Sequence, residues 1–230
     1  MKVHVATSLD EAKHFRTLVL VDVFRSSSTI ITALSNGATS VIPFTNLLKA
    51  IKARQRMRSD GILAGERNGI TPRSFDYNIS PFEMSRSAVF GKAVLYSSSN
   101  FTRILGKFRD GRSILVGSIM NARAVAHLLR SRDNDAAIVP CGTKLGMVVE
   151  DLVGAGAIAA SMGRVDYSDD ALAAIGLSKT NDWRELVRRG RIARKLASLG
   201  YERDIALCLR LNSSSLVPGL VGDRIVLLKH

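Results

Sequence analysis

Cysteine is scarce in this sequence, carboxylates are outnumbered, and long apolar runs are missing. The two cysteines among 230 residues, Cys141 and Cys208, lie far apart and form no metal-like spacing. That argues against a disulfide framework and for a reducing compartment. No apolar stretch approaches the roughly 20 residues that span a bilayer. The N-terminal Met-Lys-Val-His-Val turns polar without the apolar core of a signal peptide. The expectation is a soluble, cytoplasmic protein that engages no membrane. There is no low-complexity linker and no internal repeat, so residues 1–230 read as a single α/β domain. Against 20 Asp and Glu stand 33 Lys and Arg, a formal charge of +13. A field of that sign attracts nucleic acid or polyanionic metabolites, although a solvated basic surface would carry the same charge.

The apolar residues are arranged as strands and helices in alternation. Thr17–Phe24 is a short, nearly continuous apolar run, the pattern of a strand covered on both faces. Thr29–Asn36 has helical spacing, with Gly37 as a stop. Further strands are expected at Val41–Phe44, Gly61–Ala64, Ala93–Ser97, Ser113–Val116, Ala136–Val139 and Arg224–Leu228. Helices are expected at Asn46–Met57, Thr102–Phe108, Ala122–Ser131, Val149–Met162 and, as one basic helix, Trp183–Lys195. Such alternation predicts a three-layer α/β/α sandwich around a largely parallel or mixed sheet. Thr71–Glu83 breaks it with two prolines, and long loops inside a compact domain are often functional.

Several strand-to-helix turns carry the same vocabulary of hydroxyl, amide and carboxylate. Asp22 ends the first apolar run and is followed by Arg25, Ser26, Ser27, Ser28 and Thr29. In open α/β sheets, sites collect at strand carboxyl ends. An Asp there can ligate magnesium, and an Arg can grip a phosphate through two parallel bonds. Glu66-Arg67 with Asp76, Ser99-Asn100, Ser118 with Asn121, and Glu150-Asp151 repeat the theme. Each alone could be an ordinary helix cap or a solvated loop charge. Rival signatures fail. Asp22-Val23-Phe24 lacks the second aspartate of a haloacid-dehalogenase-type phosphatase. Neither Cys141 nor Cys208 is followed by arginine at the spacing of a tyrosine-phosphatase loop, and no Walker-type phosphate loop is present. Gly154-Ala155-Gly156-Ala157-Ile158-Ala159 fits the dinucleotide fingerprint, but Glu150-Asp151 precede it where a strand belongs, so close helix packing is the better account.

Taken together, these segments resemble the 2-phosphosulfolactate phosphatase family through most of the chain. The resemblance is carried by Val21-Asp22-Val23-Phe24-Arg25-Ser26-Ser27-Ser28-Thr29, Ala64-Gly65-Glu66-Arg67 and Phe75-Asp76 with Ser80-Pro81. It continues in Ser98-Ser99-Asn100 with Thr102-Arg103, Gly117-Ser118 with Asn121, and Glu150-Asp151-Leu152. It implies a magnesium-dependent phosphoric monoester hydrolase that converts 2-phospho-3-sulfolactate to 3-sulfolactate and phosphate, in coenzyme M biosynthesis. Its candidate catalytic residues here are Asp22, Arg25, Glu66 and Arg67. Substrate would be bound by Ser27, Ser28, Ser99, Asn100, Ser118 and Asn121, and the metal by Asp22, Glu66, Asp76 and Asp151. Arg25→Ala is expected to cut turnover while leaving the fold intact. Phe101 stands where the family's Thr-Thr-Asn-Gly-Thr turn has glycine, so its bulk is expected to strain the turn or obstruct the ligand.

Two other readings stay open. A related phosphatase could share the fold with a different substrate. A nucleic-acid-binding protein could use the arginine-rich stretch Trp183–Lys195 on a phosphate backbone. The partner expected first is a small anionic phosphoester, with nucleic acid less favoured; the oligomeric state is open, a homodimer included.

Overall fold

The computed structural model describes residues 1–57, 61–108, 111–144 and 146–228. Short β-branched runs supply a ten-stranded sheet: β1 Lys2–Val5, β2 Thr17–Val21, β3 Ser40–Pro43, β4 Gly61–Gly65, β5 Ala93–Ser97, β6 Ser113–Gly117, β7 Ala136–Pro140, β8 Asp166–Tyr167, β9 Pro218–Val221 and β10 Arg224–Leu227. The helices are α1 Leu9–Ala12, α2 Ser26–Ser35, α3 Leu47–Arg56, α4 Arg86–Val89, α5 Phe101–Leu105, α6 Ala122–Arg132, α7 Val149–Ala160, α8 Asp169–Ser178, α9 Trp183–Arg188, α10 Arg191–Ser198 and α11 Glu202–Cys208. All five residues of β2 are buried, as a strand covered on both faces requires. Among the described residues no helix is long and apolar enough to cross a membrane.

The strand order is β4-β5-β3-β10-β9-β6-β2-β7-β1-β8. Six of its nine neighbour pairings are parallel, so the sheet is mixed. The three antiparallel pairings all involve the β9–β10 hairpin, which sits between two parallel blocks and reverses their relative direction. Each block meets the hairpin through one residue pair, Ile225 with Val41 and Leu115 with Gly219. Neighbouring strands rotate by about 20–25°, so the five steps from β2 to β5 accumulate roughly 100–125°. This twist offsets the reversal and lets the carboxyl ends of the two blocks approach one another.

One apolar layer packs α6–α11 against the β1, β2, β6 and β7 side of the sheet. A second joins α1, α2 and α5 to the opposite face, and a smaller one sits under α3. The three-layer expectation therefore describes the architecture. Gly156 shows how tightly α7 and α8 approach, because a Cβ there would lie 1.9 Å from the Ala174 carbonyl oxygen. Close packing, not a dinucleotide, thus accounts for the glycine-alanine run.

Three expectations need correction. Trp183–Lys195 is two helices, broken at Gly190, where a Cβ would crowd Val149 and the Val187 carbonyl. The helix after β2 begins at Ser26, three residues early, because Ser26–Ser28 bury their side chains in its first turn. β1, β8 and β9, none longer than four residues, are absent from the expected strands.

Candidate active site

The carboxyl ends of β2, β4, β5 and β7 converge on a cleft of about 820 Å³. Asp22 follows β2, Glu66 follows β4, Ser98 and Ser99 follow β5, and Gly142 follows β7; all line it, as do Glu150 and Asp151 from the first turn of α7. The four carboxylates are buried. Around them stand Arg103, Lys107, Lys144, Arg191 and Lys195, so an acidic floor lies under a basic rim.

Asp22 Oδ1 accepts the Ser26 N–H at 3.3 Å, while Oδ2 has no partner among the described residues. Burial pushes its pKa up to about 6, the Glu66 charge adds to this, and Ser26 and Arg25 oppose it. Asp151 accepts the Val23 N–H at 2.8 Å and the Gly142 N–H at 2.9 Å, tying the exits of β2 and β7 together. Burial, then Asp22 and Glu150, hold its pKa well above the usual carboxylate range. Glu150 Oε2 is buried without a hydrogen-bond partner. Burial raises this carboxyl to about 7, with Asp22 adding and Arg191 opposing. Glu66 bridges two loops, accepting the Ser99 N–H at 2.6 Å and the Gly69 N–H at 2.8 Å.

Arg25 lines the same cleft, yet only 2% of it is exposed. Its Nη1 donates to Asp204 Oδ2 at 2.6 Å and its Nη2 to Asn78 Oδ1 at 2.8 Å, and the guanidinium lies 4.0 Å from the Tyr201 ring centroid. Ser80 Oγ donates to the other Asp204 oxygen at 2.7 Å. The Thr71–Glu83 loop therefore supports Arg25 through Asn78 and Ser80. This also changes what Arg25→Ala would do. Removing the guanidinium strands a buried carboxylate, so the fold is not left untouched. Arg67 is held by the carbonyls of Glu66 and Thr45 and by Ser97 Oγ.

Of the remaining candidates, Ser99 and Asn100 line the cleft and five residues do not. Ser27 Oγ accepts the Asp22 N–H, and Ser28 Oγ pairs with Ser118 Oγ and donates to the Val23 carbonyl. Asn121 closes a capping box with Ser118 and donates to Val116 and Leu216. Asp76 Oδ2 accepts from Arg54 and from the Leu63 N–H, away from the cleft. Phe101 is fully buried in the apolar core and does not line the cleft, so the expected obstruction is absent. Sequence reasoning overlooked Lys107 and Lys144, placed Arg191 and Lys195 in a candidate nucleic-acid surface, and gave Glu150 no role. The signal for α10 was the break at Gly190, beyond which Ile192 and Leu196 share a face with Arg191 and Lys195.

Magnesium typically takes one or two protein carboxylates and completes its shell with water and phosphate oxygens. The free Asp22 Oδ2 and the orphaned Glu150 Oε2 suit such a cation. An all-protein cage is not present at the cleft: the group of three His, Cys, Asp or Glu ligand atoms within 4.8 Å among the described residues is His4, Glu11 and Asp170, outside it.

The model of the 2-phosphosulpholactate phosphatase family matches residues 3–223. The chain belongs to this family. A Thermotoga petrophila relative described as a probable 2-phosphosulfolactate phosphatase is 36% identical over 215 residues, covering 92% of each chain. One from Carboxydothermus hydrogenoformans, with the same description, is 34% identical over 88% of this chain and 85% of its own. A Clostridium acetobutylicum relative, again so described, is 31% identical over 98% of this chain and 100% of its own. In this member of the family, Asp22, Arg25, Glu66, Arg67, Ser99, Asn100 and Asp151 share one cleft, Ser27, Ser28, Ser118 and Asn121 are hydrogen-bonded behind it, and Asp76 lies away from it.

Proposed function

We propose that this protein is a phosphoric monoester hydrolase that uses magnesium to convert 2-phospho-3-sulfolactate to 3-sulfolactate and phosphate. The observation that carries the reading is the buried carboxylate floor beneath a basic rim, at the meeting point of four strand ends. A phosphoester with further anionic groups is complementary to such a site. The rim attracts and holds the anions, and the Asp22 carboxylate would help to hold a cation beside them.

Phosphoryl transfer depends mainly on positioning and on stabilising charge over the equatorial oxygens. Arg25 suits that task because Asp204, Asn78 and Tyr201 fix its guanidinium before substrate arrives. Ser99 and Asn100 offer hydrogen bonds at the mouth. Asp22, with Glu66, Glu150 or Asp151 nearby, would hold a magnesium ion, which would supply polarisation of the phosphoryl oxygens and orientation of the nucleophile. The water oxygen forms the new P–O bond as the ester P–O bond breaks, and the leaving alkoxide takes up a proton. Of the basic residues of Trp183–Lys195, the best support for a nucleic-acid surface in the sequence, Arg191 and Lys195 line this cleft.

The test is phosphate release from racemic 2-phospho-3-sulfolactate with and without magnesium, beside p-nitrophenyl phosphate. Magnesium-dependent release favouring the sulfonated ester is expected. Release from p-nitrophenyl phosphate alone would keep the chemistry and discard the substrate.

A further inference from the structure

A side pocket of about 260 Å³ opens beside the main cleft, and the two share Arg103, Gly142, Thr143 and Lys144. Arg103 differs from the other arginines of the cleft. Arg25 is committed to Asp204 and Asn78, Arg67 to two carbonyls and a hydroxyl, and Arg191 Nη2 to Thr143 Oγ1 at 3.1 Å. Arg103 makes no hydrogen bond or ion pair to any described residue, and its Nε is buried without a partner. A buried donor of this kind costs free energy unless a ligand satisfies it.

The wall around it is half apolar, with Leu9, Ile104 and Met147. Cys141, also in the wall, is no source of negative charge, because burial pushes its thiol well above its ordinary pKa. Among basic side chains, guanidinium is the weakly hydrated one and binds planar or tetrahedral oxyanions through its fork. A diffuse, weakly hydrated anion suits such a pocket better than a compact, strongly hydrated carboxylate.

We infer that Arg103, assisted by Lys144, forms the subsite for the sulfonate arm of the substrate and thereby sets specificity. The inference rests on the proposed reaction and assigns a separate task to a separate part of the cleft: the phosphoryl group lies by Asp22 and Arg25, the sulfonate in the side pocket. Arg103 is a specificity-determining residue here and takes no part in bond making.

The experiment compares 2-phospho-3-sulfolactate with 2-phospholactate, which keeps the carboxylate and phosphate but lacks the sulfonate. Arg103→Gln should lower kcat/KM for the sulfonated ester about 10- to 100-fold, mainly through KM, the size of a lost charged hydrogen bond. For 2-phospholactate the change should stay within about threefold, since uniform binding to the missing group cannot be lost. Lys144→Gln, at an exposed position, should show a smaller loss with the same selectivity. It serves as the safe variant should Arg103→Gln fail to fold. Equal losses on both esters, or no loss on either, would overturn the subsite while leaving the hydrolase reading intact. A parent protein that releases phosphate from neither ester would overturn both.

Discussion

Replacing Asp22 by Asn tests whether the buried carboxylates of the cleft are held there at a cost to stability. The carboxyl is raised from its ordinary 3.8 to about 6, chiefly by burial. At about 1.4 kcal/mol per pH unit, that difference corresponds to roughly 3 kcal/mol. The sign follows from proton binding. Below pH 3.8 the group is neutral in both folded and unfolded chains, and folding carries no charge penalty. Between 3.8 and about 6 the unfolded chain ionises first, so stability falls as pH rises; above about 6 the full penalty applies. Asn keeps an acceptor for the Ser26 N–H and removes the charge that raises Asp151 and Glu150. In chelator-treated protein, urea unfolding should therefore show Asp22→Asn to be more stable than the parent by about 3 kcal/mol at pH 8. The gain should shrink towards zero near pH 4. Phosphatase activity should be lost at every pH. Added magnesium should raise the parent's stability by mass action and leave the variant unchanged. A variant no more stable than the parent at pH 8, or a gain that ignores pH, would refute the argument.

Arg25→Ala leaves Asp204 buried and unpaired and should destabilise the fold by about 3–5 kcal/mol, readable as a lowered urea midpoint. Replacing Asp204 by Asn in the same chain should recover much of that stability without restoring turnover. Gly156→Ala drives a methyl into the Ala174 carbonyl and should cost about 1–3 kcal/mol, checked by thermal unfolding, with α7 and α8 forced apart. Lys195→Gln at the exposed rim should lower kcat/KM up to about tenfold at low salt. That difference should fade as ionic strength rises to about 0.15 M and beyond, because the Debye length there is only about 8 Å.

The layers of the fold were legible because strands covered on both faces read as unbroken apolar runs, as Thr17–Val21 does. The position of the β9–β10 hairpin was not, since nothing local in Pro218–Val221 says which two blocks it will join. Asp22, Arg25 and Glu66 were legible because each follows a strong strand signal at a place where sites collect. Asp76 and Ser118 carry the same residue types at the same kind of turn, yet Arg54 and Asn121 absorb them. Periodicity reports which residues face the core, but it cannot report which polar groups find partners within it. The basic rim was hidden for a related reason. Arg191 and Lys195 reach the cleft from a helix that lies roughly 125 residues beyond Glu66 in the chain, a proximity created only by tertiary packing.

The central hairpin has a consequence for the order in which the protein can assemble. Residues 218–227 are made after the other eight strands, yet they fill the middle of the sheet. Until they emerge from the ribosome, β3 and β6 each present an unpaired edge towards the gap that the hairpin will close. Exposed edges of that kind template pairing with other chains. A chain that lacks residues 218–227 has no strands to join its two parallel blocks, which leaves each block with an edge open to self-association. The cleft, lined from both blocks, depends on those two strands to hold its two sides together.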